Sequence, residues 1–176
     1  MIKDSKAMEK AAVMQAAERI CAAARTAPKT RGIDHLKTCV LFDSDIEMLA
    51  IEMERLSEVY HYDFFKRDAA NIRRAHAVVL IGTAEAKRGL NDGCAYCHFK
   101  NCAECAEHGG ACIYDAMDLG IALGSAVSIA ADSRIDNRVM FSVGRSAASL
   151  QLLGTDIKVI IGIPLSVSEK SPFFDR

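Results

Sequence analysis

The sequence predicts one domain that combines α-helices with β-strands. Stretches with the apolar periodicity of helices alternate with three short apolar runs, which are typical of buried strands. The 176 residues are enough for one domain with a substantial core. No internal repeat, low-complexity tract or Pro/Gly/Ser-rich linker divides them. We therefore expect a single domain over residues 1–176, with a Cys-rich segment, residues 93–112, inside it.

The first half of the chain is predicted to contain three helical stretches and two strands. Pro28 ends the first helix, Asp43 or Ser44 can cap the second, and Gly82 is expected to end the second strand. The predicted elements are a helix over residues 5–26, a strand over 36–42, a helix from 44 onwards, an amphipathic stretch over 62–74 and a strand over 77–81.

The second half is predicted to contain two helices and a third strand. The helix over residues 114–133 is apolar on nearly all sides, so we expect it to be buried centrally. The next helix, over residues 137–153, is expected to stop at Gly154, and the strand over 158–163 at Pro164. Phe173 and Phe174 stand in a polar tail and are expected to pack on another surface, such as a partner subunit.

The charge balance excludes some classes of partner. The formal net charge is -1, from 22 basic and 23 acidic residues, which gives no electrostatic case for nucleic acid or a membrane surface. Charged residues stand where a signal peptide would need its apolar core, and no stretch reaches the roughly 18 apolar residues of a membrane helix. We expect a cytoplasmic protein, in which thiols stay reduced.

Five of the seven cysteines fall in one short segment with the order Cys-x2-Cys-x4-Cys-x2-Cys-x6-Cys. They are Cys94, Cys97, Cys102, Cys105 and Cys112. Thiolates at such spacings usually hold a soft metal or an iron–sulfur cluster. An odd number of cysteines in a reducing compartment argues against a disulfide framework.

Three interpretations of this segment stay open. The favoured one is a [4Fe–4S] cluster, whose four irons each take one thiolate, with Cys94, Cys97 and Cys102 as the firmest ligands and either Cys112 or Cys105 as the fourth. The second is structural zinc on two Cys-x2-Cys pairs, in which His98 or His108 could replace a thiolate, although zinc ribbons usually separate their pairs by about 15–20 residues. The third is a metal-free redox dithiol formed by the first two cysteines.

Several motifs resemble those of a known family. The run over residues 93–124, the segment DNRVMFSVGRSAASLQLLG and the ending IIGIPLSVSEKSPFFDR resemble the uncharacterised prokaryotic proteins described as ferredoxin-domain-containing. The most specific pieces are DLGIALGSAV, Asp136-Asn137-Arg138 and the ending Phe174-Asp175-Arg176. In that family glycine usually follows the first two cysteines, where this sequence has Ala95 and His98.

A second resemblance concerns the fold. AAARTAPKTRGID, DLGIALGSAVSIAADSRID and KVIIGIP are similar to the early segment, central helix and late strand of flavin-dependent nitroreductases. This resemblance implies an α+β fold, an antiparallel sheet wrapped by helices, with the Cys-rich segment as an insertion. It also implies a homodimer that binds FMN between subunits, with the helix of Gly120 and Gly124 as a dimer contact. Lys29 and Arg31 could bind the FMN phosphate, or they are solvated loop charges.

The functional expectation is an iron–sulfur electron-transfer or redox protein. A [4Fe–4S] cluster is the first candidate cofactor, zinc is the alternative, and FMN is a further candidate. Its partners would be a second copy of the chain and a redox partner protein. The competing hypothesis is a non-enzymatic dimeric module in which zinc, or no metal at all, braces a long cysteine loop.

Overall fold

The computed structural model describes residues 2–174 and shows an antiparallel sheet between two layers of helices. The four strands lie in the order β1-β2-β4-β3, with every neighbouring pair antiparallel. The α+β fold is therefore confirmed. The strands are β1 (Leu36–Leu41), β2 (Ala77–Ala84), β3 (Asp136–Asn137) and β4 (Ile157–Ser166). The helices are α1 (Ser5–Thr26), α2 (Ser44–Tyr60), α3 (Phe64–Ile72), α4 (Cys102–Glu107), α5 (Ile113–Asp132) and α6 (Phe141–Ser149).

Strand β2 divides the core into two halves because successive side chains of a strand point to opposite faces. Val79 and Ile81 pack with α1 and α5 on one face of the sheet. Val78 and Leu80 pack with α2, α3 and α6 on the other. All four side chains are fully buried, which explains why this strand reads as a continuous apolar run in the sequence.

Helix α1 has the predicted bounds, and local chemistry explains them. The Asp4 carboxylate accepts a hydrogen bond from the backbone N–H of Ala7 (2.8 Å), which satisfies one free donor of the first turn. Val13, Ala17 and Ile20 are fully buried and form one face of the helix. This face lies against α5 and the sheet.

Two residues expected to end strands lie inside them. Gly82 lies within β2, where it pairs with Ile160. Only glycine fits there without a shift, because a Cβ atom would lie 2.6 Å from the Ile157 side chain. Pro164 continues β4. The carbonyl oxygen of Leu165 accepts from the His76 N–H, so the backbone of Leu165 faces β2 and the nitrogen of Pro164 faces the side of β3. The pairing of β3 ends at Asn137, opposite Leu165, so it requires no donor from Pro164.

The helix predicted over residues 137–153 is wrong at both ends. Asp136–Asn137 forms the short strand β3, which pairs with the end of β4, and Met140 makes a bridge with Gly162. Helix α6 begins only at Phe141, because the preceding backbone is used in these sheet bonds. The helix lies very close to β4: a Cβ atom on Gly144 would stand 1.8 Å from the Ile160 carbonyl oxygen.

Helix α5 is not buried all round, contrary to the expectation from its composition. Its inner face, which includes Leu119, Ala122 and Ala126, packs with α1 and the sheet. On the outer face, Met117 and Ile121 are 45% and 46% exposed. By length and composition alone α5 could cross a membrane, but its inner face packs as a core helix of a soluble domain does.

The two tail phenylalanines have different environments. Phe173 is buried in the core between α2, α6 and the sheet of the same chain, so it needs no partner subunit. Phe174 is 36% exposed, with the guanidinium of Arg138 lying 5.1 Å from the centre of its ring. Asp175 and Arg176, which belong to the family-like ending, lie outside the described residues.

Candidate metal centre

The cysteine segment lies in the connection between β2 and α5, and this connection has little regular structure of its own. It contains a single 3₁₀ turn, Asn91–Gly93, and the short helix α4. Asn101 caps α4, since its side-chain oxygen accepts from the N–H of Glu104 (3.0 Å). Cys112 directly precedes α5 and is its N-cap residue. The last cysteine is therefore fixed by a core helix, whereas the first two lie in loops.

Four of the five clustered cysteines line one cavity, namely Cys94, Cys97, Cys102 and Cys112. The enclosed space among these side chains is ≈ 20 Å³. This is about the space that one water molecule requires, so the segment must open to admit anything larger. Phe99 and Tyr114 also line the cavity, and the ring of Tyr114 stacks on that of Tyr96 at 6.2 Å. Aromatic walls of this kind limit the access of water to the thiols.

Cys105 lies behind this cavity rather than in its wall. It is only 1% exposed, and its thiol donates to the carbonyl oxygen of Gly110 (3.3 Å). Burial raises the pKa of this thiol, and the neighbouring Cys97 thiol raises it further. A protonated, hydrogen-bonded thiol is a poor metal ligand, because the ligand form is the thiolate. The sequence left the fourth ligand open between Cys112 and Cys105, and this geometry favours Cys112.

The thiols do not converge on one point. Within residues 2–174, no three His, Cys, Asp or Glu side chains come close enough together to hold a single metal ion. His108, one of the two histidines considered as zinc ligands, stacks on Phe99 with ring centres 5.8 Å apart, and its Nδ1 lies 3.0 Å from the carbonyl oxygen of Glu104.

The residues after the first two cysteines have left-handed backbone conformations. Ala95 has φ 53° and His98 has φ 65°. The N–H of His98 donates to the carbonyl oxygen of Ala95 (3.0 Å), which closes a tight turn around Cys97. Glycine adopts such φ values without strain. Ala95 and His98 thus hold, with side chains present, a conformation that suits glycine better.

Arg88, Asp115 and Asp118 form a buried ion cluster next to the cysteine segment, and the sequence analysis did not identify it. Arg88 is 2% exposed; its Nη2 lies 2.9 Å from Asp118 Oδ2 and its Nη1 lies 3.0 Å from Asp115 Oδ1. Asp118 also accepts from the N–H (3.0 Å) and the hydroxyl (2.9 Å) of Thr30. Burial raises the pKa of Asp115, while the N–H of Ala86 and Arg88 oppose this shift. Two aspartates three residues apart on an otherwise apolar helix were the available signal.

The two residues predicted to bind a cofactor phosphate make contacts within the chain. The Lys29 ammonium donates to the carbonyl oxygens of Ala27 (2.8 Å) and Ala24 (3.1 Å), and also to that of Arg25, so it caps the end of α1. Arg31 donates from Nη1 to the carbonyl oxygen of Arg88 (2.7 Å). These contacts do not fit a phosphate site built on both residues, since only Arg31 keeps free donors. Their role in binding a cofactor stays a prediction.

Solved structures with a similar fold include nitroreductases and an oxidoreductase containing FMN. Nitroreductase CinD from Lactococcus lactis, solved with chloramphenicol, superposes with a TM-score of 0.62 at 12% identity, covering 96% of this chain and 81% of that one. A nitroreductase family protein from Clostridium novyi NT gives a TM-score of 0.56 at 12% identity over 96% and 77%. An oxidoreductase containing FMN gives 0.60 at 10% identity over 89% and 67%. The fold is nitroreductase-like, as the sequence resemblance implied.

Sequence comparison gives the family. An uncharacterised protein of Archaeoglobus fulgidus is 36% identical over 184 residues, covering 100% of this chain and 98% of that protein. The sequence profile of the family described as "uncharacterized protein containing a ferredoxin domain" matches residues 108–176, a stretch that holds Cys112 but none of the other four clustered cysteines. The chain belongs to this family of proteins containing a ferredoxin domain.

Proposed function

We propose that this redox protein transfers electrons through a [4Fe–4S] cluster held by Cys94, Cys97, Cys102 and Cys112. The carrying observation is that these four thiols line one cavity, whereas Cys105 is not part of its lining. A single zinc ion needs four donors, each about 2.1–2.3 Å from it. A four-iron cluster spreads its thiolates more widely, because each thiolate binds a different iron. Four thiols around one cavity are the donor set that a four-iron cluster needs.

The chain's own residues prepare this site in three ways. Cys112 directly precedes α5, so this core helix fixes the position of its thiol. Arg88 lines the cavity, and its ion pairs with Asp115 and Asp118 fix it in that wall. Phe99 and Tyr114 restrict water. When bound, a cluster supplies one-electron transfer at a potential set by burial and by hydrogen bonds to sulfur.

The experiment is anaerobic purification followed by iron and acid-labile sulfide analysis and a visible spectrum. We expect about four irons and four sulfides per chain. Single Cys→Ser variants at positions 94, 97, 102 and 112 should lose the cluster. Cys105→Ser is the matched control and should keep it. A colourless wild-type protein with one zinc per chain would refute the proposal, as would a Cys105→Ser variant that loses iron as fully as the other four.

FMN is the second cofactor to test, because structural neighbours include an oxidoreductase containing FMN. The same preparation answers this question when it is denatured and the released flavin is measured by fluorescence. Arg31→Gln should lower flavin content if the loop over residues 29–32 contributes to the phosphate site. Lys66→Gln, on the exposed face of α3, is the control that should not change it.

The proposed assembly is a cytoplasmic homodimer that contacts itself through the outer face of α5 and exchanges electrons with a redox partner protein. Met117 and Ile121 are half-exposed there, and a Cβ atom on Gly120 or Gly124 would meet nothing within 4 Å. This open apolar strip allows close approach of a second helix. Sedimentation velocity tests it: Ile121→Glu should yield monomers, whereas Val59→Glu on α2 should not. A monomeric wild type contradicts the assembly.

A further inference from the structure

A cavity lined by arginines lies at the end of β2 opposite to the cysteine segment. Arg74 shortly precedes β2, whereas the cysteine segment follows this strand. The cavity is bounded by α3, by the chain just after β3 and by the tail, and its volume is ≈ 190 Å³. We call it the arginine cavity, and its wall is formed by Arg67, Asn71, Arg74, Arg138 and residues 172–174.

Two of the three guanidinium groups in this wall are held by neutral acceptors. Nη2 of Arg74 donates to the carbonyl oxygen of Pro172 (2.7 Å) and to Oδ1 of Asn71 (3.2 Å). Nη1 of Arg138 donates to the carbonyl oxygen of Phe173 (2.9 Å). These bonds bring two positive charges to one short stretch of the tail. Among residues 2–174, neither charge is paired with a carboxylate.

The polar side chains of the wall offer mainly hydrogen-bond donors. A guanidinium has five N–H donors, and within the described residues Arg74 uses only those of Nη2 and Arg138 only those of Nη1. Asn71 is only 9% exposed, its Oδ1 already accepts from Arg74, and its Nδ2 makes no hydrogen bond in the described part of the chain. A wall of free donors fits a ligand group that only accepts, which is an anion.

The charge of this region stays positive after the neighbouring carboxylates of α3 and β3 are counted. Asp68 is 4% exposed and pairs with Arg67 (2.8 Å), which leaves two arginines. Asp136 lies outside the wall, and within residues 2–174 it forms no ion pair. Even if its full charge is set against the remaining two arginines, the sum is positive. No carboxylate lines the cavity as far as the described residues form it.

We propose that the arginine cavity binds a phosphate group, with Arg74, Arg138 and Asn71 donating to its oxygens. A phosphate monoester carries a charge of about −1.5 to −2 at pH 7 and three strong acceptor oxygens, which match two guanidinium groups and one amide. A carboxylate brings one charge and two oxygens. Pockets that enclose a whole ligand usually occupy about 300–1,000 Å³, so this smaller cavity suits the phosphate group itself. The inference goes beyond the proposed function, because the site uses none of the cysteines.

The test is calorimetric titration of the full chain with inorganic phosphate at constant ionic strength. We expect a dissociation constant of about 1 mM or below. Arg74→Gln and Arg138→Gln should each weaken binding about fivefold or more, because each removes a charged donor. Arg19→Gln is the matched control: it changes the net charge equally, but it is exposed on α1, on the other side of the sheet, and should leave the affinity unchanged.

Asn71→Asp separates phosphate binding from folding. The new carboxylate can keep the bond to Arg74, so Tm should not fall, but its negative charge in the wall should weaken phosphate about tenfold or more. Acetate should bind the wild type about fivefold more weakly than phosphate does, since it carries a smaller charge. Glycerol 3-phosphate identifies the source of the group: tighter binding than that of free phosphate supports a phosphorylated small molecule, and equal or weaker binding supports the free ion.

Three outcomes overturn the inference. One is the absence of saturable phosphate binding to the wild type up to about 10 mM. Another is equal weakening by Arg19→Gln and Arg138→Gln, which would show a general effect of net charge. The third is an Asn71→Asp variant that binds phosphate as tightly as the wild type. Iron analysis of the same samples keeps this proposal apart from the cluster, because phosphate can be titrated whether or not the cysteines hold iron.

Discussion

Replacing Ala95 with glycine should stabilise the protein, although glycine substitutions usually destabilise. Ala95 has φ 53°, and a left-handed conformation costs an L-residue roughly 1–2 kcal/mol. Glycine removes that cost but gives the unfolded chain more freedom, which offsets about 0.5–1 kcal/mol of the gain. The net expectation is an increase of about 0.5–1 kcal/mol in the free energy of unfolding. For a chain of this size that corresponds to a rise in Tm of roughly 1–4 °C.

Thermal unfolding of the metal-free protein measures this effect without interference from metal loss. The matched control is Ala103→Gly in α4, where the backbone is helical and glycine should cost about 0.5–1 kcal/mol. His98→Gly, with φ 65° at the native residue, should behave like Ala95→Gly. The reasoning about backbone strain fails if Ala95→Gly lowers Tm as much as Ala103→Gly does.

Three further predictions concern residues other than the proposed cluster ligands. Arg88→Met leaves two buried carboxylates unpaired and should lower the free energy of unfolding by about 3–5 kcal/mol in urea titrations; an effect below about 1 kcal/mol would show that the cluster is not buried. Gly144→Ala should cost about 3 kcal/mol or more because the new Cβ atom would collide with the Ile160 carbonyl oxygen, and a loss below about 1 kcal/mol in chemical denaturation would contradict this close packing. Burial raises the pKa of Cys39 from 9.0 to about 11, so its contribution to stability is full below pH 9 and is lost as the pH rises through 11. Cys39→Ala should remove this part of the alkaline decline in Tm, and an unchanged decline would contradict the assignment.

Local patterns in the sequence predicted most of the elements, because those elements depend on local chemistry. Helix α1 has both its cap and its apolar face within its own residues, and its predicted bounds are correct. The errors arose where tertiary contacts decide. Pro164 stays in β4 because its missing donor faces the side of β3 just beyond the last β3 pair, and the start of α6 depends on the pairing of β3 with β4. Neither fact can be read from the residues alone.

For the candidate site, too, the sequence predicted what depends on local spacing and missed what depends on tertiary contacts. Cysteine spacing was sufficient to single out the segment, but the choice between Cys105 and Cys112 depends on which thiol finds a carbonyl partner in the folded chain. Lys29 looked available to a phosphate because the sequence does not show that its ammonium folds back onto three backbone carbonyl oxygens at the end of α1. Arg88 was overlooked because only the fold brings it between two aspartates that follow about thirty residues later in the chain.

The two hydrophobic clusters of the core contain no residue between Glu85 and Asp118. The sheet and its two helix layers therefore have their own source of stability, and the cysteine segment adds a site without supplying the core. We expect the metal-free protein to remain folded, with a cooperative transition, rather than to collapse as a zinc finger does without its ion. Loss of a cluster to oxygen would then be a reversible change of state, because a folded chain with reduced thiols could be reloaded.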